Sequence, residues 1–185
     1  NMSHELRTPL NSLLILSDNL AENKNENLTP DQVESAQIIY KSGTDLLHMI
    51  NDILDLSKIE SGKMTLNIEP VSIKEISNTI FHYFKHVTEQ KGLEFKIDIE
   101  DSIPIKVETD QQKVEQILKN FMSNAIKFTS TGSVELRFGA TKPTIALRTP
   151  GLTAKNTIAI SVTDSGIGIQ ENKQMEIFEA FKQAD

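Results

Sequence analysis

Apolar residues in the first 62 positions recur at helical spacing in two stretches. In the first stretch, four positions follow Leu6 at alternating intervals of four and three residues: Leu10, Leu13, Ser17 and Leu20. The second stretch follows Thr29, a residue type suited to an N-cap, and Pro30, which suits the first helical position. It runs through Val33, Ala36, Tyr40, Gly43, Leu47, Ile50 and Leu54, is widened by Ile39, Leu46 and Ile53, and stops at Gly62. These periods predict two amphipathic helices joined by the polar segment 21–30.

This helical hairpin has more apolar surface than its two helices can bury against each other. Pairing with a second copy to form a four-helix bundle is the simplest way to bury the remainder. We therefore expect residues 1–62 to form a dimerising hairpin domain.

From Met64 onward, segments with the alternation of strands are mixed with segments that have the period of helices. Strands are expected at 64–73, 93–100, 132–140 and 156–166, and helices at 73–92, 109–130 and 171–183. Gly92 ends the first of these helices, and Thr109 or Asp110 caps the second. Two prolines and a glycine in segment 141–156 indicate an extended hairpin tip or a flexible insertion. Because the order is not a regular βαβ repeat, the fold class is α+β, with residues 63–185 as a second domain.

The composition limits the kinds of ligand and partner that the chain can bind. It has 26 acidic and 19 basic residues, a formal net charge of -7, and no cysteine. The acidic balance argues against a nucleic-acid-binding face, so a bound nucleotide must be held by local donors and a metal. The lack of cysteine excludes disulfides and thiolate chemistry. No apolar run approaches the roughly 20 residues that a membrane-spanning helix needs.

The helix expected at 109–130 has two different stripes. At about 100° per residue, its core-facing stripe is formed by Val114, Ile117, Leu118, Phe121, Ala125 and Phe128. Asn120, Asn124 and Lys127 lie on a second stripe roughly 90° away, and their side chains can converge because residues three and four apart are helical neighbours. Two amide oxygens suit a hard cation and an ammonium suits a phosphate, although a solvated polar face has the same pattern.

The segment VTDSGIGI (162–169) places a carboxylate and two glycines at the end of an expected strand. Asp164 can accept a hydrogen bond from an amine, and Gly166 and Gly168 let the backbone approach a ligand closely. A tight turn before a helix would use the same pattern. The P-loop pattern G-x-x-x-x-G-K-[ST] is absent, so the glycines and the Asn-Asn-Lys stripe together imply a metal-bridged nucleotide.

The opening segment SHELRTPL (3–10) gathers reactive and charged side chains at the start of the first helix. A neutral imidazole at His4 can attack a phosphorus centre, and Arg7 and Thr8 lie three and four positions further on the same helical face. Arg7 could balance a phosphoryl charge and Thr8 could hold a water, whereas Glu5 reaches the imidazole only if the helix bends. Pro9 supplies a reason for such a bend. An exposed histidine without a function is the alternative.

Together these motifs resemble those of sensor histidine kinases. SHELRTPLNSLL is similar to the H box of that family, NFMSNAIKFT to its N box, DSGIGI to its G1 box and IFEAFKQAD to its F box, in the family's order. The segment MINDILDLSKIESGKM is most similar to hybrid kinases, which carry receiver domains further along. The resemblance implies a dimeric four-helix bundle followed by a Bergerat-type (GHKL) α/β sandwich that binds ATP.

The resemblance also implies a role for each motif residue. His4 would be the phosphoacceptor, Glu5 would orient or deprotonate its ring, and Thr8 would support transfer or phosphatase chemistry. Magnesium and the ATP phosphates would be held by Asn120, Asn124 and Lys127, with the two asparagines as metal ligands. Asp164 would accept the adenine amine, and the rest of the nucleotide site would include Gly166, Gly168, Phe178 and Phe181.

The implied function is transfer of the γ-phosphate of ATP to a histidine and then to an aspartate of a response-regulator receiver domain. The kinase would be a cytoplasmic homodimer, attached to a membrane only through upstream segments. A dimerisation and phosphotransfer module that does not use ATP is one alternative. Another GHKL ATPase would explain the N and G1 boxes but not HELRTP. Since the chain stops at Asp185, before the family's lid and second glycine-rich box, we expect the 185 residues alone to be inactive or weakly active.

Overall fold

The computed structural model of the chain describes residues 2–174 and, within them, the side chains of residues 7–47 and 49–174. The chain divides into two compact units, a hairpin unit (Asn1–Thr65) and a sheet unit (Leu66–Asp185). No helix in residues 2–174 is long and apolar enough to traverse a lipid bilayer.

The hairpin unit consists of α1 (Met2–Glu22) and α2 (Pro30–Glu60). The predicted start of α2 is confirmed: Thr29 and Gln32 form a reciprocal capping box, with the Gln32 amide donating to Thr29 Oγ1 at 3.4 Å and the Thr29 amide donating to Gln32 Oε1 at 2.9 Å. In the linker, the Asn23 side chain exchanges two hydrogen bonds with the backbone of Leu28. A local polar network therefore sets the turn between the helices.

Small residues bring α1 and α2 close together. Ser17, Ala36 and Gly43 are buried between the helices. A methyl group added at Gly43 would lie 2.9 Å from Leu14 Cδ2, so the helices approach closely there and any side chain at position 43 must displace the end of Leu14. The predicted stripe is only partly buried within one chain, because Leu13 (44% exposed), Leu20 and Tyr40 lie on a neighbouring face.

The described part of the sheet unit, residues 66–174, contains five strands and two long helices. In chain order these are β1 (Glu69–Ser72), α3 (Ile73–Lys91), β2 (Glu94–Ile99), β3 (Lys106–Thr109), α4 (Gln111–Phe128), β4 (Ser133–Ala140) and β5 (Ile158–Asp164). β1 and β3 form an antiparallel pair, and the second sheet has the order β2-β4-β5, with β2 parallel and β5 antiparallel to β4. The predicted α+β class is confirmed, but β3 was not predicted and β1 is shorter than expected.

The core of this unit lies between the two helices and β4. Its fully buried side chains come from α3 (Ile76 and Ile80), α4 (Met122) and β4 (Val134, Leu136 and Phe138). Gly92 in the left-handed conformation ends α3, as predicted. Asp110 caps α4 by accepting from the Lys113 amide, and its second oxygen accepts from the Asn67 amide, both at 3.0 Å. These two bonds, from Asn67 and then Lys113, lower the pKa of the Asp110 carboxyl below its ordinary value.

The buried face of α4 differs from the predicted one. Leu118 and Ala125 are buried as expected, but Met122 and Ile126 complete the face, whereas Ile117, Phe121 and Phe128 are 46–55% exposed. The helix is therefore rotated relative to the prediction, because α3 and the sheet cover the flank that carries Met122. On the other flank, an apolar cavity of about 260 Å³ is lined by Val114, Ile117, Leu118, Phe121, Ile160 and Val162.

The last predicted helix, 171–183, lies mostly outside the described residues. Within them, Glu171–Lys173 form one turn of 3-10 helix after the DSGIGI segment.

Candidate functional site

The topology of the sheet unit brings the end of β5 to the end of α4. The chain leaves α4 at Phe128 and enters β4 at Ser133 after a short turn. Because β5 runs antiparallel to β4 and Asp164 pairs with Val134, the last residue of β5 lies beside that turn. The two motifs that the sequence placed far apart, the Asn-Asn-Lys stripe and the DSGIGI loop, are thus neighbours at one edge of the unit.

Gly166 lies close to the end of α4. A methyl group at this position would lie 2.5 Å from the Phe128 carbonyl oxygen and 2.7 Å from Asp164 Oδ1. The Gly166 amide donates to Asp164 Oδ1 at 2.8 Å. This bond occupies one carboxylate oxygen, and Asp164 Oδ2 has no hydrogen-bond partner among residues 7–47 and 49–174.

The DSGIGI loop is also tied to the turn between α4 and β4. The Ser165 amide donates to the Ser133 carbonyl at 3.1 Å, and the Ser133 amide donates to Ser165 Oγ at 2.9 Å. Further along the loop, Gly168 has φ of +70° with nothing near its α-carbon on the side-chain side. Sequence reasoning did not single out Ser165, although its place inside the D-x-G-x-G pattern was the available signal.

The stripe on α4 presents polar groups to solvent beside this loop. Asn120, Asn124 and Lys127 are all exposed and lie on the side of the helix away from Met122 and Ile126. The Lys127 ammonium lies 4.9 Å from the centroid of the Phe128 ring, a cation–π contact. The amide oxygens of the two asparagines are hard donors one turn apart, which suits Mg²⁺ with water and phosphate oxygens completing its shell. Within residues 7–47 and 49–174, no cluster of three His, Asp or Glu side chains offers another metal site.

Two residues that the sequence analysis did not single out, Lys91 and Thr129, fix the end of α4. Lys91, the last residue of α3, donates from Nζ to the Ile126 carbonyl at 2.8 Å. Thr129 is fully buried and donates to the Ala125 carbonyl at 2.7 Å. Both bonds satisfy carbonyls that have no partner within the helix, so they fix the last turn of α4, which carries Lys127.

In the hairpin unit, the structure describes only part of the predicted phosphoacceptor cluster. His4 and Glu5 lie in α1, but their side chains are outside the described set. Thr8 and Pro9 follow in the same helix and are exposed. Arg7 is half-buried and donates from Nη2 to Asn51 Oδ1 on α2 at 3.1 Å, so this guanidinium joins the two helices one turn after His4. The sequence-predicted Phe178 and Phe181 lie outside the described residues.

Two family models match the chain, one in each unit. Residues 1–62 match the His Kinase A (phospho-acceptor) domain, and residues 109–185 match the histidine kinase-, DNA gyrase B- and HSP90-like ATPase. The chain is a histidine kinase core, with a phospho-acceptor domain followed by an ATPase domain. This confirms the resemblance drawn from the four boxes and the two-component kinase core that it implied, and the ATPase model supports ATP as the nucleotide.

Curated relatives of this histidine kinase core include sensor kinases from bacteria and an amoeba. The chain is 35% identical over 184 residues to the autoinducer 2 sensor kinase/phosphatase LuxQ of Vibrio vulnificus (strain YJ016), and 35% identical over 185 residues to the signal transduction histidine-protein kinase BarA of Escherichia coli K12. It is 40% identical over 185 residues to hybrid signal transduction histidine kinase B of Dictyostelium discoideum. Each match covers the whole chain but only 20%, 19% and 9% of these relatives, so the chain spans about a fifth or less of their length.

Solved histidine kinases share the fold. Full-length ShkA in complex with AMPPNP superimposes with a TM-score of 0.78 at 30% identity, over 100% of this chain and 36% of ShkA. ThkA in complex with the response regulator protein TrrA gives a TM-score of 0.60 at 19% identity, over 98% of this chain and 49% of that one, which is a likeness of fold.

Proposed function

We propose that this kinase core transfers the γ-phosphate of ATP to His4 and then to an aspartate in the receiver domain of a response regulator. The observation that carries the proposal is the contact of Gly166 with the Phe128 carbonyl. It places the carboxylate of the DSGIGI loop next to the end of α4 that carries the polar stripe. A nucleotide-binding kinase needs a base contact and phosphate contacts side by side, and here the loop carboxylate and the polar stripe would supply them.

Asp164 recognises the base in this proposal. Its Oδ1 is held by the Gly166 amide, so Oδ2 accepts a hydrogen bond from the exocyclic amine of adenine. Guanine has a carbonyl oxygen at the equivalent position, and two facing acceptors would both be left unpaired. An unpaired polar group costs about 1–3 kcal/mol, so roughly tenfold to hundredfold preference for ATP over GTP is expected.

The stripe on α4 holds the triphosphate. Asn120 and Asn124 would be the protein ligands of a Mg²⁺ ion, which neutralises phosphate charge when bound. Lys127, supported by the Phe128 ring, supplies a fixed positive charge beside the same phosphates. All three side chains are exposed, so each contact is weakened by water, and we propose that the 185 residues alone bind Mg-ATP weakly and transfer little phosphate.

The histidine performs the chemistry. An imidazole nitrogen of His4 attacks the γ-phosphorus, an N–P bond forms, the bond to the bridging oxygen breaks, and ADP leaves with the electron pair. Glu5 orients the ring and accepts its proton. In the second step a receiver aspartate oxygen replaces the histidine nitrogen on phosphorus, and Thr8, exposed one turn beyond His4, supports this transfer or hydrolysis. Arg7, held by Asn51, balances phosphoryl charge next to the reaction.

The hairpin unit is the surface through which two copies pair. Exposed apolar side chains form one stripe on each helix, with a heptad spacing on α2: Leu13, Leu16 and Leu20 on α1, and Ile39, Leu46 and Ile53 on α2. These stripes lie roughly 70–80° away from the residues buried between α1 and α2, on the adjacent face that a four-helix bundle buries. We therefore assign residues 1–62 to dimerisation and phosphotransfer and residues 63–185 to ATP binding. We propose a cytoplasmic location for the kinase core, since ATP is available there.

The test is the chemistry of the phosphorylated residue. A longer kinase polypeptide that contains this chain, incubated with Mg-ATP labelled at the γ-phosphate, should acquire a label that is lost in acid and kept in base, since N–P bonds hydrolyse in acid. His4→Gln should abolish labelling, and the matched variant His82→Gln, at an exposed position of α3, should keep it. Full labelling of His4→Gln, or a label that survives acid, would overturn the assignment.

A phosphotransfer module that does not use ATP is distinguished by binding. Competition of GTP with a fluorescent ATP analogue measures both binding and base preference. No displacement of the analogue by ATP would favour that alternative, and equal displacement by both nucleotides would reject the role of Asp164.

A further inference from the structure

Ser165 lies between the proposed base-recognising carboxylate and the glycine that touches α4, and its hydroxyl points away from both, into the turn before β4. We propose that Ser165 is the positioning residue that holds the base-recognising loop in register with the phosphate-binding helix. This inference rests on the proposed nucleotide site. It gives a role to a side chain that would contact neither adenine nor phosphate.

Four hydrogen bonds join Ser165 to the turn, the longest of them from its Oγ to the Ser133 carbonyl at 3.4 Å. Its amide donates to the Ser133 carbonyl at 3.1 Å, which continues the ladder between β4 and β5 by one residue. Its Oγ accepts from the Ser133 amide at 2.9 Å and donates to the Thr131 carbonyl at 3.2 Å. The hydroxyl therefore uses both its donor and its acceptor on the backbone of one short segment.

The turn has a gap shaped for this hydroxyl. A methyl group at Gly132 would lie 2.2 Å from Ser165 Oγ and 3.2 Å from Ser165 Cβ, both closer than ordinary contact. Residue 132 therefore has no side chain where the serine enters. The fit is mutual, since the hydroxyl fills the space that the missing side chain leaves.

The turn that Ser165 contacts directly follows the helix that carries the phosphate contacts. Residues 129–132 connect Phe128 to β4. The Phe128 carbonyl leaves no space for a side chain at Gly166 of the loop. Ser165 thus fixes the loop to the segment that leaves the end of α4, the helix that carries the proposed phosphate contacts Asn124 and Lys127. With the hydroxyl in place, the separation between the base-recognising oxygen and the phosphate-binding stripe is set by backbone contacts rather than by a mobile loop.

The same bonds contribute little to overall stability. Ser165 is exposed, so water can replace the hydroxyl at the Ser133 amide and the Thr131 carbonyl if the side chain is truncated. Loss of the hydroxyl should therefore leave the sheet unit folded and widen the range of positions available to Asp164. A small displacement of a recognising group weakens discrimination between ligands more than it weakens folding.

The experiment compares Ser165→Ala with Ser165→Thr, which keeps the hydroxyl, and with Ser161→Ala, a matched control at an exposed position on the same strand. For each protein, ATP and GTP compete with a fluorescent ATP analogue, and the ratio of the two dissociation constants is the readout. Ser165→Ala should lower affinity for ATP about fivefold to tenfold and reduce the ATP-over-GTP ratio by a similar factor, while Ser165→Thr and Ser161→Ala stay near wild type. Amide exchange in nucleotide-free protein should accelerate at Ser133 in Ser165→Ala alone, with an unchanged melting temperature.

The outcomes separate the inference from the proposed function. An unchanged ATP-over-GTP ratio in Ser165→Ala, with wild-type protein still selective, overturns the role of Ser165 only. An equal loss of affinity for both nucleotides together with a lowered melting temperature also overturns it, since that is the signature of a structural role. Wild-type protein that binds neither nucleotide overturns the proposed site and the inference together, even if exchange at Ser133 accelerates.

Discussion

The two glycines of the DSGIGI loop are required for different physical reasons, and substitutions can separate those reasons. Gly166 needs space, because its α-carbon faces the Phe128 carbonyl and the Asp164 carboxylate. Gly168 needs backbone freedom, because its φ of +70° is rarely adopted by residues with a side chain, while no atom of the described residues lies within 4 Å of an added methyl group. We therefore expect alanine to weaken nucleotide binding at both positions and asparagine to distinguish them.

The magnitudes follow from these contacts. An added methyl carbon at Gly166 would start 2.5 Å from the Phe128 oxygen, whereas ordinary contact begins at 3.4 Å, so the loop must move by about 0.9 Å. Movement on this scale at a binding group can cost on the order of a hundredfold in function. At Gly168 the cost of alanine is conformational, about 1–2 kcal/mol, and asparagine reduces it because its side chain tolerates the left-handed region.

The assay is titration with a fluorescent ATP analogue, with melting temperature as a check on folding. Gly166→Asn should bind more weakly than Gly166→Ala, because the larger side chain meets the same carbonyl, whereas Gly168→Asn should bind more tightly than Gly168→Ala. Gly151→Ala, at a glycine with φ of +86° and open space in segment 141–157, controls for strain remote from the site. If asparagine changes binding in the same direction at both positions, or if Gly166→Ala binds like wild type, the contact with the Phe128 carbonyl does not shape the site.

Three further predictions concern the scaffold. The Asn67 amide and then an amide of α4 lower the pKa of the Asp110 carboxyl below its ordinary value of 3.8. The ionised carboxylate therefore stabilises the fold fully above pH 3.8, and this stabilisation is lost as the pH falls through the lower pKa of the folded protein. Asp110→Asn should flatten the fall of the melting temperature at acid pH. Lys91→Met keeps the aliphatic stem but leaves the Ile126 carbonyl without its donor, and should lower the free energy of unfolding in urea by about 1 kcal/mol; an unchanged midpoint would refute this. Gly43→Leu should prevent the close approach of α1 and α2 and lower helicity measured by circular dichroism, whereas Gly43→Ala meets only a flexible leucine methyl group at 2.9 Å and should be mild.

The parts of the fold that could be predicted are those whose signals are local. Thr29 and Pro30 mark the start of α2, Gly92 marks the end of α3, and Asp110 caps α4, because each of these residue types acts on backbone groups within one turn. β3 was missed for the opposite reason. Its four residues are mostly polar, and it is a strand only because β1 pairs with it from a distant part of the chain.

Periodicity located the stripes of α4 but not their environments. A helical period gives the angle between two stripes, whereas the choice of buried face depends on which flank the rest of the fold covers. Met122 is completely buried and Phe121 is 48% exposed, although both are apolar and adjacent in sequence. Lys91 and Ser165 were missed because their partners are backbone carbonyls and amides 32 to 35 residues away, and backbone groups have no sequence signature.

The structure of α4 explains how one helix can carry both the core and the candidate site. The side that contains Met122 packs into the fully buried interior, while the stripe that contains Lys127 faces solvent, so the functional side chains are carried by a helix that is anchored in the core. Phe128 contacts both parts of the candidate site. Its ring lies under the Lys127 ammonium, and its carbonyl occupies the space that a side chain at Gly166 would need. A shift of α4 would therefore displace the phosphate contacts and the base-recognising loop together. For this reason the residues that fix the end of α4 matter to nucleotide binding even though they touch no nucleotide.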